Sequence, residues 1–305
     1  MQSSSTTSSS ICDFTFKYEQ HLLNVRGLAQ NTLALHRRVV QALFRFRFPG
    51  GQITWKDFHF SDCVDFLERE FARLSKRETQ RAWLMVLRSV LRYLGQEGHI
   101  PKGWEAALPK ITSYRQASLP RTLSDKQLHE LWKASEGKDR RHLRYRALLL
   151  LCLRLGMRVG EVANLHLQDI DWENGHLRVR GTKSHRDRTL PLPEDVGEAL
   201  VAHLRAGRPH STRVFEPLRA PFTAERINNH VLNSLHYLFL LARITNHGTH
   251  SLRHTSATSM VNKGASFKAV ADVLGHKKVS TTLIYAKLDL KALMQVALPW
   301  PGGVQ

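Results

Sequence analysis

Residues 250–285 read HSLRHTSATSMVNKGASFKAVADVLGHKKVSTTLIY, and the spacings within this stretch decide the fold. His250 and Arg253 stand three positions apart, which turns both toward one side of a helix. His276 follows in Leu274-Gly275-His276, and Tyr285 lies nine positions after it. Gly264 and Gly275 interrupt the helical periodicity, so the stretch is a series of short helices whose breaks fall beside the polar residues. Further upstream stand two cations in short motifs. Arg158 lies in Gly156-Met157-Arg158-Val159-Gly160-Glu161, and Lys183 in Gly181-Thr182-Lys183.

Together these residues supply one phenol nucleophile and several cationic or hydrogen-donating groups. The inventory suits attack on a phosphodiester, whose transition state needs its equatorial oxygens neutralised and its leaving oxygen protonated. The order and spacing of Arg158, Lys183, His250-x-x-Arg253, His276 and Tyr285 closely resemble those of the tyrosine recombinases, the phage-integrase and Xer-like family. The resemblance runs over residues 121–290.

Each residue type has a chemical reason to be there. Tyr285 is the candidate nucleophile, and a phenol with an ordinary pKa of about 10 needs positive charge or a base beside it. Arg158 and Arg253 are candidates to clamp the non-bridging oxygens, because a guanidinium offers a planar fork and keeps its proton. Glu161, one helical turn from Arg158, is placed to orient it or to form a structural salt bridge. His250 is suited either to accept the tyrosine proton or to donate to a phosphate oxygen, and His276 to donate a further hydrogen bond. Lys183, at a hairpin tip, is the candidate general acid for the departing oxygen, with Arg180, Arg186 and Arg188 as competitors. His254, next to Arg253, reads as packing or as support for the site.

Lys and Arg number 45 against 26 Asp and Glu, a net +19, which implies a polyanionic partner. Cys12, Cys63 and Cys152 are scattered and form no CxxC pair, so they read as buried thiols of a reducing compartment. His247, His250 and His254 include a pair four apart, but no His-Glu-x-x-His and no matching cysteines accompany them. No metal site is therefore expected. A phosphate-binding Gly-x-x-x-x-Gly-Lys loop is also missing, and no cofactor is expected. The longest apolar run, Ala147 to Leu153, is too short to span a bilayer. The start of the chain lacks the pattern of a signal peptide, so a cytoplasmic protein that is nucleoid-associated when bound to DNA is expected.

The chain divides by its periodicities. Residues 1–10, rich in Ser and Thr, read as a disordered tail. Residues 11–105 read as four helices, carrying Phe14, Tyr18, Leu22 and Val25, then Leu35, Val39, Leu43 and Phe46, then Val64, Leu67 and Phe71 after an N-cap at Ser61, then Trp83 to Leu94. Arg37, Arg38, Arg45, Arg47, Arg77, Arg81, Arg88 and Arg92 punctuate these helices as a phosphate-gripping set. Residues 106–120, with Pro109 and Pro120, read as an extended linker. Residues 121–305 form the second domain, opening on a capping box from Ser124 to Gln127. Leu167 to Leu192 alternate like a three-stranded antiparallel sheet, with Asn174-Gly175 as a type I′ turn signal and Lys183 near the second turn. Residues 223–293 are helical again.

The fold class is thus mainly α with a small antiparallel β-sheet. By the resemblance, it is an N-terminal helical core-binding domain plus a tyrosine-recombinase catalytic domain. The resemblance further implies site-specific recombination or integration on double-stranded DNA that carries specific recombination sites. Tyr285 would form a 3′-phosphotyrosine, without ATP or metal, in a homotetramer on two DNA sites or a hetero-assembly with related recombinases. Two alternatives use the same fold: a type IB-like topoisomerase, and a non-catalytic DNA-binding regulator. Ser256 departs from the family, which commonly has an aromatic residue there, so looser packing is expected around it. The twenty residues after Tyr285 leave little length for the helix that family members donate to a neighbour.

Overall fold

The computed structural model describes residues 9–28, 30–112, 120–181, 187–207, 211–217, 219–276, 281–282 and 285. The chain divides into two compact units, residues 1–114 and 115–305.

The first unit opens on a two-residue strand, β1 (Ser9–Ser10), followed by α1 (Ile11–Arg26), α2 (Gln30–Arg47), β2 (Gln52–Ile53), α3 (Phe60–Arg73), α4 (Arg77–Gln96) and the short α5 (Trp104–Ala107). Phe14, Tyr18 and Leu22 of α1, Val39 and Leu43 of α2, Phe66 and Leu67 of α3 and Val86 to Leu94 of α4 share one apolar core. Burial of each such side chain contributes roughly 1.5–3 kcal/mol. Val25, on the predicted stripe of α1, is 69% exposed instead, because the helix is about to end at Gly27 in the left-handed conformation. A buried polar contact ties three helices together. The Tyr18 hydroxyl bonds His36 Nδ1 and Ser89 Oγ, each at 2.9 Å.

Three expectations need correcting here. Ser9 and Ser10 are not part of a disordered tail: they pair with Ile53 and Gln52. Ser10 also caps α1, since its hydroxyl accepts from the Asp13 N–H and so satisfies one of the helix's orphan donors. Ser61 is not the N-cap of α3. The helix starts at Phe60, and the Asp62 carboxylate accepts from the His59 N–H at 2.7 Å. The start of the predicted linker is not extended either, because α5 continues to Ala107 and Leu108 is buried in the first core. Arg88 holds this segment by donating to the carbonyls of Leu108 and Pro109.

The second unit contains α6 (Asp125–Ala134), α7 (Arg140–Leu153), α8 (Val159–Ala163), β3 (Ile170–Asp171), β4 (His176–Val179), β5 (Arg188–Pro191), α9 (Glu194–Ala206), α10 (Ala224–Leu241), α11 (Thr249–Asn262) and α12 (Phe267–Leu274). Ser124 and Gln127 form the expected capping box at α6. α7 is the central helix and packs against α9, α10 and α11. Its run from Ala147 to Cys152 is buried all round, which explains the unbroken apolar sequence. The sheet has the order β3-β4-β5 and is antiparallel, with Leu177 between Ile170 and Leu190 on the core side.

The turn after β3 is not type I′. Asp171 pairs with His176, so four residues connect the strands. Gly175 alone in this turn has a positive φ, whereas a type I′ turn needs two such residues. The Asp171 carboxylate accepts from the backbone and side-chain N–H of Asn174 and fixes the wider turn. α9 has no counterpart among the elements expected from the sequence. Among the described residues, no helix is long and apolar enough to cross a membrane.

Candidate active site

Arg158 occupies the N-cap position of α8, and Glu161 is the third residue of that helix. The Glu161 carboxylate accepts from the Arg158 backbone N–H at 2.9 Å and from its guanidinium at 2.8 Å. It also accepts from both terminal nitrogens of Arg188, on β5, at 3.1 and 2.9 Å. Burial alone would push the Glu161 carboxyl up. The hydrogen bonds and charge of Arg188, with the backbone N–H and charge of Arg158, outweigh it and hold the group below its usual range. Arg188 Nε donates to the Val273 carbonyl at 2.7 Å, which attaches the sheet to the end of α12.

Arg253, on α11, is buried with 5% exposure. Its guanidinium donates to the Gly156 carbonyl and the Leu274 carbonyl, each at 2.5 Å. Arg158 reaches the same Leu274 carbonyl at 3.3 Å. Two like charges therefore converge on the C-terminal end of α12, where unsatisfied carbonyls carry partial negative charge. Burial, and then the repulsion of Arg158, lower the Arg253 pKa to about 10, which leaves it charged at neutral pH. Gly156 makes this approach possible. Its φ is +60°, and a Cβ there would lie 2.6 Å from a Leu274 methyl.

Tyr285 is 2% exposed, with its ring among Ala257, Val261, Val270 and Leu274. Its hydroxyl lies 2.9 Å from His254 Nδ1. Burial raises the phenol pKa, while the positive charges of Arg253 and Arg158 pull it back. His276 Nδ1 bonds the hydroxyl of buried Thr282 at 2.7 Å, and the Tyr285 N–H donates to the Thr282 carbonyl. Tyr285 is thus held from α11 through His254, and Thr282 from His276, two residues past α12. Burial, with Arg253, Arg158, Arg188 and His254 adding to it, lowers His276 to about 4. His250 is exposed on α11, one turn before His254.

Arg158, Glu161, Arg253, His276 and Tyr285 are thereby brought together, with His250 on the helix that supplies Arg253. Lys183 and its competitor Arg186 lie outside the described residues. Sequence reasoning missed two contacts. Arg188, expected only as a rival to Lys183, is the second partner of Glu161, and the apolar alternation of β5 was the available hint that it points inward. His254, expected as packing or support, touches the phenol oxygen, and its four-residue spacing from His250 was the signal. Ser256 is buried beside Gly156, where a small residue fits. Among the described residues, no three His, Cys, Asp or Glu side chains converge as metal ligands would.

The predicted cations of the first unit divide into two groups. Arg37 pairs with Glu19, Arg47 with Asp62 and Arg92 with Glu105, Arg88 is bonded to carbonyls, and Arg38 lies over the Trp83 ring. Arg45, Arg77 and Arg81 are exposed, and among the described residues they have no hydrogen-bonded or ion-paired partner.

Residues 121–291 match the phage integrase family, and residues 16–98 match the phage integrase N-terminal SAM-like domain. A protein of Sinorhizobium fredii named "Putative integrase/recombinase y4rA" is 37% identical over 94% of this chain and 71% of its own length. Tyrosine recombinase XerA of Pyrococcus furiosus is 28% identical over 90% of this chain and 89% of its own. Among solved structures, a lambda integrase tetramer bound to a Holliday junction superposes with a TM-score of 0.68 at 22% identity, covering 91% of this chain and 78% of that one.

Proposed function

The chain belongs to the phage integrase family of tyrosine recombinases, and from that premise we propose that Tyr285 cleaves DNA by attacking a scissile phosphodiester. The attack leaves a 3′-phosphotyrosine and a free 5′-hydroxyl. A 5′-hydroxyl from the partner strand then attacks the phosphotyrosine and releases the enzyme. One ester replaces another of similar energy at each step, so the exchange needs no ATP.

The observation that carries this reading is the convergence of Arg158 and Arg253 on the Leu274 carbonyl with Tyr285 in their field. Two fixed guanidiniums meet the requirement of a phosphorane-like transition state for preorganised positive charge. Glu161 holds Arg158 in place at the start of α8. His250 and His276 donate to the phosphoryl oxygens, and Lys183 protonates the departing 5′-oxygen. The substrate is double-stranded DNA with specific recombination sites, encountered in the cytoplasm. The working assembly is a homotetramer on two sites, or a mixed assembly with related recombinases, in line with the lambda integrase tetramer on its junction.

A suicide duplex, nicked so that the cleaved strand loses a short fragment, tests the proposal. Wild-type protein should be trapped as a covalent adduct on a denaturing gel, with the modified peptide containing Tyr285. Tyr285→Phe should bind the duplex and form no adduct. An adduct on another residue, or one that persists in the Phe variant, would overturn the assignment.

A further inference from the structure

We infer that His254 is a catalytic residue of the cleavage step: it seats the Tyr285 hydroxyl and takes its proton as the phenol oxygen attacks phosphorus. The inference rests on Tyr285 being the nucleophile. The contact is direct, at 2.9 Å between His254 Nδ1 and the phenol oxygen. With Nδ1 unprotonated, the phenol donates and the imidazole accepts, as an attacking phenol requires.

The surroundings favour this nitrogen as the acceptor. Nδ1 of His276 is engaged by Thr282, and His250 lies one turn away on the exposed side of α11. Burial, followed by the charges of His250 and Arg253, lowers the His254 pKa, so the ring is neutral and its lone pair available at pH 7. Among the described residues, the titratable and charged groups around the pair are His250 and Arg253 on its own helix, Arg158 before α8 and His276 after α12, with Arg188 on β5 acting on His276. Among the described groups that face it, none is a carboxylate in contact with His254. A phosphodiester entering the site brings the missing negative charge and stabilises the imidazolium as it forms.

The step balances. The phenol O–H bond breaks and its proton moves to Nδ1, the phenol oxygen bonds to phosphorus, and the bond from phosphorus to the 5′-oxygen breaks. The 5′-oxygen collects its proton from the general acid assigned to Lys183. In rejoining, the incoming 5′-hydroxyl returns its proton to the amine assigned to Lys183 and displaces the phenol oxygen, which recovers its own proton from His254. His250 is then left to the phosphate, which resolves the two roles its position allowed.

The test uses single-turnover cleavage of the suicide duplex by the full chain. His254→Gln keeps an acceptor near the hydroxyl but no usable base, and should cleave about 10²–10⁴-fold more slowly while binding DNA as wild type does. A fluorinated tyrosine installed at position 285 has a more acidic phenol and needs the base less. It should restore much of the rate in His254→Gln and give little or no gain beside an intact His254. Normal cleavage by His254→Gln, or a slow variant that gains nothing from fluorination, would overturn the inference.

A second measurement needs no destabilising change. In ¹⁵N-histidine spectra, Tyr285→Phe should shift the Nδ1 resonance of His254, and an unmoved resonance would also refute the contact. If wild type forms no adduct at Tyr285, the proposed function itself fails. An adduct at Tyr285 with normal cleavage by His254→Gln sinks only this inference.

Discussion

Glu161 holds Arg188 through both carboxylate oxygens, at 2.9 and 3.1 Å, so the acid that positions Arg158 is itself anchored from the sheet. Its side chain is 1% exposed and that of Arg188 is 9% exposed. Removing one partner from such a pair leaves buried charge without compensation, which costs about 3–5 kcal/mol. Glu161→Gln should therefore lower the unfolding midpoint in denaturant as well as slow cleavage. The pH dependence has a definite sign. The folded pKa of Glu161 is depressed, so its contribution is complete above the unfolded carboxylate range and fades as pH falls through the lower folded value. The gap between wild type and variant should narrow on acidification, and a gap constant down to strongly acidic pH would contradict the ion-pair account.

Arg253→Lys tests whether charge alone suffices. The guanidinium donates through separate nitrogens to Gly156 and Leu274, and an ammonium at the end of a flexible stem does not reproduce that fork. Cleavage should fall about 10²–10³-fold, the loss typical of one preorganised donor to a developing oxyanion. DNA affinity, measured by gel shift at fixed salt, should change little. Near-normal cleavage by the lysine variant would mean that the fork is dispensable.

The +19 charge should make DNA binding fall steeply with salt, but the cations of the first unit should not contribute equally. Arg45, Arg77 and Arg81 are exposed without a partner among the described residues, whereas Arg37 is held by both oxygens of Glu19. Replacing the three exposed arginines with alanine should make the slope of log affinity against log salt shallower by about 2–3, at about 0.9 for each phosphate no longer neutralised. Arg37→Ala should leave the slope nearly unchanged. Equal effects from both sets would show that the ion pair opens on DNA.

What could be read in advance follows the range of the interactions. Phe14, Tyr18 and Leu22 repeat at helical spacing, and Leu177, Val179 and Leu190 alternate, so these elements declare themselves locally. The family was legible because five separated motifs between Arg158 and Tyr285 must agree in order and spacing. The link between Glu161 and Arg188 spans 27 positions and depends on how β5 meets α12, which no local pattern encodes. Asn174-Gly175 misled because Asp171 bonds Asn174 and favours a wider turn than the dipeptide suggests. Ser61 misled because Asp62 supplied the competing cap. The contact of His254 with Tyr285 joins positions 31 apart, so the local sequence shows only that His254 shares a helix turn with His250.

Lys183 gives the most discriminating prediction, because two of its three rivals are already engaged. Arg188 donates all its guanidinium nitrogens to Glu161 and the Val273 carbonyl, and Arg180 is paired with Asp169. An arginine is in any case a poor proton donor to a leaving oxygen, because it holds its proton at every working pH. Lys183→Ala should cleave ordinary DNA about 10²–10⁴-fold more slowly, as expected for a missing general acid. A substrate with sulfur in place of the bridging 5′-oxygen has a leaving group that departs without prior protonation. Sulfur should therefore restore cleavage by Lys183→Ala and leave Arg158→Ala slow, since Arg158 acts on the non-bridging oxygens. Rescue of Arg158→Ala with Lys183→Ala still inactive would reverse the roles, and rescue of Arg186→Ala alone would move the acid three residues along the same hairpin.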